Sequence, residues 1–161
     1  MKKKMIVFQP ALAPYRLDLF NFLSDYFSLQ LFFENKNVSN QKFNQEYLVN
    51  QLKEKPNYLI GFNFLGKAFR FNVISKIINI KPDIILTPEF GFTTISCLLF
   101  KFLFNSKIKL YVFNDDSIDN ANNKKSSQKI IRHLILKNID GVLLNSSKMC
   151  DWYCQNISTK I

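Results

Sequence analysis

Short apolar runs along this chain end repeatedly in clusters of small, polar and charged residues. Ile6-Val7-Phe8 runs into Gln9-Pro10 and then Pro14-Tyr15-Arg16, and Leu31-Phe32-Phe33 stops at Glu34-Asn35. Ile84-Ile85-Leu86 stops at Thr87-Pro88-Glu89 with Gly91 beyond, and Leu110-Tyr111-Val112-Phe113 at Asn114-Asp115-Asp116. Val142-Leu143-Leu144 stops at Asn145-Ser146-Ser147. A helix-like segment follows most of these stops. Strands buried on both faces read as continuous apolar runs, and their alternation with helices predicts a parallel α/β sheet. Ligands of such sheets bind beyond the carboxyl ends of the strands, so the polar stops are the candidate site.

The pattern predicts strands at Lys4–Gln9, Ser28–Phe33, Asn57–Ile60 (ended by Gly61), from Asp83 onward, Lys107–Phe113 and from Gly141. Helical spacing runs through Leu17, Phe20, Leu23 and Phe27 in a helix over Tyr15–Phe27, with Pro14 suited to its entrance. Further helices are expected at Phe69–Ile80, Phe92–Phe104, Gln128–Lys137 and Ser147–Asn156. The Asn-, Gln- and Lys-rich stretch Asn35–Pro56 reads as a connection with one helical turn around Glu46–Leu52, and Asp119–Ser127 as a polar loop. The sum is a Rossmann-like, doubly wound parallel sheet of about six strands with helices on both faces, in one domain spanning residues 1–161.

Composition narrows this picture. A chain of 161 residues that is 47% hydrophobic can bury a core, and no apolar stretch reaches the roughly 20 residues of a membrane span. Ile95–Phe104, the most apolar segment, is interrupted by Lys101 and reads as a buried helix. Met1-Lys2-Lys3-Lys4 resembles the start of a signal peptide, but the apolar run behind it ends at Gln9, so the expected compartment is the cytoplasm. The formal charge is +10. Lys, Asn, Ile and Phe are all abundant, and AT-rich codons encode all four, so part of the basicity traces to genome composition. What remains suits an anionic membrane surface, and no basic-aromatic or recognition-helix pattern points to nucleic acid. Cys97, Cys150 and Cys154 read as packed or half-buried thiols, because the only histidine, His133, leaves a metal site short of ligands. The first loop has no G-x-G-x-x-G, and the chain has no Walker A loop, G-x-S-x-G elbow or H-E-x-x-H helix. Hydride transfer and P-loop chemistry are disfavoured.

Four segments, taken in order, resemble the N-terminal, acceptor-side domain of GT-B glycosyltransferases of the family 4-like bacterial group. They are Ala13-Pro14-Tyr15-Arg16-Leu17-Asp18-Leu19-Phe20; Ile80-Lys81-Pro82-Asp83-Ile84-Ile85; Lys109–Phe113 ending in Asn114-Asp115-Asp116; and Ile139-Asp140-Gly141-Val142-Leu143-Leu144-Asn145-Ser146. The resemblance covers nearly the whole chain. It implies a second, donor-binding domain beyond these residues, so that the chain is half of an enzyme and inactive alone. One departure stands out: Ala11–Pro14 occupies the place of the family's two-glycine first loop. The implied function is acceptor binding in transfer from a nucleotide sugar, in cell-surface polysaccharide or glycolipid synthesis. A sugar or lipid-linked glycan would be the acceptor, no metal or other cofactor is called for, and the enzyme would sit in the cytoplasm or peripherally at the inner membrane face. The alternative is a non-catalytic, flavodoxin-like binding module or an inactive fragment.

Glycosyl transfer needs an acceptor hydroxyl held beside the anomeric carbon, with a base or a leaving-group stabiliser at hand. Asp115 and Asp116 are the catalytic candidates, able to accept a proton or a hydroxyl hydrogen bond; the alternative is that they turn the loop. Glu89, with Gly91 shaping its turn, could bind sugar hydroxyls or serve as a helix N-terminal carboxylate. Arg16 is a candidate for an acceptor phosphate or carboxylate, against a surface salt bridge. Asn114 and Asn145 complete the substrate-binding set, although Asn145 and Ser146 suit a helix cap equally well. Tyr15 reads as packing, and His133 as structural.

Overall fold

The computed structural model describes residues 1–37, 43–64, 67–88, 90–105, 107–115, 117–123 and 125–156. Strands β1 (Lys4–Gln9), β2 (Ser28–Phe33), β3 (Asn57–Tyr58), β6 (Ile84–Pro88), β7 (Lys109–Asn114) and β8 (Gly141–Leu144) form one sheet in the order β3-β2-β1-β6-β7-β8. Every pairing in it is parallel. A separate antiparallel hairpin joins β4 (Gly61–Phe64) to β5 (Lys67–Arg70). Relabelled one to six along the chain, the sheet strands run 3-2-1-4-5-6, the doubly wound Rossmann-like order, whose direction of winding reverses between β1 and β6.

The helices are α1 (Leu17–Tyr26), α2 (Gln45–Asn50), α3 (Val73–Ile80), α4 (Phe92–Phe104), α5 (Ile118–Asn122), α6 (Ser126–Asn138) and α7 (Ser147–Asn156). Alternation along the strands assigns them to two layers. Met5 and Val7 of β1 and Leu29 and Leu31 of β2 pack with Leu17, Phe20 and Leu48 from α1 and α2. Ile6, Phe8, Ile85, Leu110 and Val112 face the other way, against Val73, Ile77, Cys97, Phe100, Ile135, Met149 and Tyr153 from α3, α4, α6 and α7.

Two aspartates fix where strands begin. Lys81 ends α3 in the left-handed region at φ 53°, and Pro82 cannot continue the helix. Asp83 then donates its backbone N–H to the carbonyl of Lys4 (3.0 Å) and accepts the N–H of Lys4 on Oδ2 (2.8 Å). Asp140 repeats the device on the far side of the sheet. Its N–H reaches the carbonyl of Leu110 (2.8 Å) and its Oδ2 accepts the N–H of Leu110 (2.8 Å). A carboxylate beside its own backbone N–H offers the neighbouring strand an acceptor and a donor at once, which pins register at the edge where the sheet starts.

Four expectations need correction. Gly61 begins a strand instead of ending one: a Cβ there would lie 1.9 Å from the carbonyl oxygen of Phe69, so only glycine admits the hairpin's close approach. Phe69 and Arg70 belong to β5, and the helix expected from Phe69 starts at Val73. The polar loop from Asp119 is in part α5, capped where Ser117 Oγ accepts the N–H of Asn120 (3.2 Å). Finally, α4 is not a fully buried helix. Its buried side carries Thr93, Thr94, Ser96, Cys97 and Phe100, while Leu99, Phe102, Leu103 and Phe104 face out.

Candidate functional site

The winding reversal places the carboxyl ends of β1 and β6 side by side, and a cavity of about 160 Å³ opens there. It is lined by Gln9 and the loop Pro10–Ala13, by Tyr15 and Arg16 from the 3-10 turn Pro14–Arg16 that enters α1, by Pro88, and by Phe43, Phe113 and Asp115. This is where an open parallel sheet offers a ligand its crevice.

Arg16 is the centre of the cavity's polar wall. Its side chain is only 8% exposed and bonds Asp115 Oδ2 through Nη2 at 2.5 Å. Nη1 donates to Oε1 of Gln9, itself buried at the end of β1. The guanidinium lies 4.6 Å from the ring centre of Phe113 and 5.6 Å from that of Tyr15. Buried charge is tolerable only when paired and hydrogen-bonded, and this arginine is both. An incoming phosphate or carboxylate would therefore compete with Asp115 for it. Asp115 is a third exposed, so its carboxylate remains in reach of the cavity. The alternation of β7 turns Asn114 to the opposite face, where it is wholly buried and donates from Nδ2 to Tyr153 Oη at 2.6 Å. Asn114 thus anchors α7 under the strand end and does not line the cavity. Asn145 is exposed and reaches the backbone carbonyl of Asp115 from Nδ2 at 3.4 Å, tying the ends of β7 and β8. Gly91 precedes α4 in extended backbone facing open space and is not among the cavity's lining residues. Glu89 and Asp116 lie outside the described residues.

Gln9, Phe113 and Tyr15 carry more of the wall than the sequence suggested. Tyr15, expected to pack, is two-thirds exposed at the rim (66%). Gln9 closes a polar strand end and gave no charge signal; only its distance of one short loop from Arg16 hinted at a partner. The loop between them has no glycine, and Leu12 instead drops a fully buried side chain into the core.

A second polar cluster braces the rim at β2. Arg70 is 4% exposed and gives Nε to the carbonyl of Glu34 (2.9 Å), Nη1 to those of Phe62 (2.9 Å) and Phe69 (3.2 Å), and Nη2 to Asn35 (2.7 Å) and Asn63 (2.8 Å). Every bond goes to a neutral oxygen, which makes Arg70 the tether of the hairpin to the sheet. Glu34 accepts from Thr93 Oγ1 of α4. Burial, helped by the charge of Glu34, pushes the Cys97 thiol far above its ordinary range, so this buried sulfur is chemically quiet. Among the described residues no group of three or more His, Cys, Asp or Glu could hold a metal ion. A larger cavity, about 570 Å³, lies among α5, α6 and α7, with Arg132, His133 and Trp152 in its wall and no strand residue. No protein-family model matches this chain, and no curated protein sequence does.

Proposed function

We propose that the chain binds the acceptor in a nucleotide-sugar-dependent glycosyltransferase of the GT-B type. The supporting observation is the switch-point cavity, in which Asp115 stands beside two aromatic rings and a committed arginine. A volume of about 160 Å³ is below the roughly 300 Å³ at which drug-sized sites begin. It suits one sugar ring, leaving the nucleotide to a second domain. Rings of Tyr15 and Phe113 offer apolar surface to the C–H face of a sugar, while Asp115 offers an acceptor to hydroxyls.

In the reaction the acceptor oxygen bonds to the anomeric carbon as the bond to the nucleoside diphosphate breaks. The hydroxyl proton passes to a base or to the departing phosphate. Asp115 is placed to receive or orient that hydroxyl, and Arg16 holds Asp115 still while Gln9 holds Arg16. On this reading Arg16 positions Asp115, and its pairing there supports that role over direct capture of an acceptor phosphate.

The larger cavity supports a second reading, a binding module without catalysis. One experiment separates the two: sugar-nucleotide turnover by the longest natural form of the chain, with amide NMR shifts mapped as monosaccharides are titrated into the 161 residues. Turnover lost on Asp115→Asn, with shifts at Gln9, Tyr15 and Arg16, supports transfer. Full turnover by that variant removes Asp115 from the chemistry, and shifts confined to Arg132, His133 and Trp152 favour the binding module.

A further inference from the structure

Helix α4 is apolar on both sides: Ile95, Cys97, Leu98 and Phe100 pack on the core, and further large apolar residues face out. A helix on a folded domain turns its apolar stripe inward and its polar residues outward. Here Thr93, Thr94 and Ser96 are buried too, and their hydroxyls are used internally. Thr94 Oγ1 donates to the carbonyl of Pro88 (2.8 Å) and Ser96 Oγ to that of Phe92 (3.0 Å). Outward stand Leu99 (52% exposed), Phe102 (80%), Leu103 (66%) and Phe104 (70%). The apolar surface continues past the helix. Phe92 contacts Phe69 of the hairpin (5.1 Å between ring centres), Phe69 stacks on Phe62 (5.6 Å), and Phe62 meets Phe71 (5.5 Å). Ile74 and Ile78 extend it along α3, which packs beside α4. Single exposed apolar residues are normal on a soluble domain, but a continuous patch marks a surface that something covers.

Charge identifies what covers it. From Lys55 to Pro82 and again from Phe90 to Asn114, the two stretches that build this face, there is no aspartate or glutamate described. Exposed Lys81, at the end of α3, and Lys107, just past α4, border it instead. The last turn of α4 also reaches the edge where the sheet strands start, beside Lys4 and Lys109. At that edge Asp140 is paired with Lys101 and Lys109, and Asp83 accepts the N–H of Lys4, so lysine still outnumbers acid around the face. Apolar side chains with a net positive border match the interface of an anionic bilayer, where rings enter below the headgroups and ammonium groups meet the phosphates. At 13 residues α4 is too short to cross a membrane, and no described helix is long and apolar enough to do so.

We infer that the outer face of α3, α4 and the 61–70 hairpin docks on an anionic phospholipid membrane. The docked domain lies on its flank. The switch-point cavity opens along the strand direction, at the far end of the sheet from Phe102–Phe104, and stays clear of the surface. This inference stands on α4 and its surroundings and does not depend on the sugar-transfer reading.

The test is co-sedimentation of the full chain with phosphatidylcholine vesicles, with and without phosphatidylglycerol, at low and high salt. The comparison variants are F102S/L103S/F104S and K81E/K107E. All five positions are exposed, and circular dichroism with thermal melting verifies that each variant folds. Binding is expected to require phosphatidylglycerol, to weaken in high salt, and to fall by about a hundredfold in the triple variant. K81E/K107E should bind several-fold more weakly. The inference is overturned if neither vesicle is bound, or if the folded triple variant binds as well as the parent chain. It is overturned equally if the parent chain is a dimer that the triple variant dissolves, with no lipid dependence in either, since a second copy would then cover the face.

Discussion

Replacing Asp140 with asparagine tests the electrostatics that hold the start of the sheet together. Oδ2 accepts from Lys101 Nζ and from the N–H of Leu110 at 2.8 Å, and Oδ1 accepts from Lys109 Nζ at 3.0 Å. Partial burial alone would raise the carboxyl pKa, but the bonds from Lys101, Leu110 and Lys109 overcome it and hold the group at about 2 instead of the ordinary 3.8. That displacement corresponds to about 2 kcal/mol of native stability. Lys109 is 61% exposed and Lys101 only 16%, so screening trims the first contribution and spares the second. Asparagine keeps an oxygen for Leu110 and loses the charge, which predicts a cost of about 1–2 kcal/mol and a fall in Tm of about 3–6 °C near neutrality. The sign of the pH effect follows from the depressed pKa. The contribution is complete above about pH 5, where the unfolded carboxyl is ionised, and fades as pH falls through 4 toward 2. Urea unfolding of both proteins at pH 7, 4 and 2.5 measures this directly. A stability gap between them that stayed constant across that range would show that the carboxylate charge is not the source.

Two further predictions concern the backbone. Lys81 occupies the left-handed region at φ 53° without being glycine, so Lys81→Gly should raise stability by about 0.5–1 kcal/mol in the same urea assay; a loss would mean that the lysine side chain matters there. Arg70→Ala strips the donors from five oxygens that tether the hairpin, and should make residues 61–70 sensitive to proteolysis while costing about 2–3 kcal/mol. Unchanged protection of that segment would show that the aromatic contacts alone hold it.

The sheet was legible because parallel strands bury both faces. Ile6-Val7-Phe8 and Ile85-Leu86 leave no polar residue to blur their limits, and their partners follow from winding rules. The hairpin was not legible. Phe69, Val73 and Ile77 share a helical spacing of four, so Phe69 looked like the first turn of the helix that begins at Val73. What holds Phe69 in a strand is its pairing opposite Phe62 in the hairpin, which Arg70 tethers to the carbonyl of Glu34, 36 residues away, and the helical spacing masks that pairing. The same limit applied to the site. Arg16 and Asp115 could each be flagged by charge, but their pairing across 99 residues and the use of Gln9 as a third member appear only once β1 and β7 flank β6.

The four sequence segments that resemble sugar transferases divide between the two ends of the sheet, and the division says what each is worth. Asp83 and Asp140 work where strands begin, exchanging paired hydrogen bonds with Lys4 and Leu110. Any parallel sheet benefits from that device whatever it binds, so these two segments speak for the fold. The segments around Arg16 and Asp115 meet at the opposite end, where the cavity lies, and only they speak to chemistry. Fold and function therefore rest on different residues, and substitutions at the two ends should separate them. Changes at Asp140 should move stability and leave ligand shifts at the cavity intact, while changes at Asp115 should do the reverse, apart from the loss of one partner of Arg16.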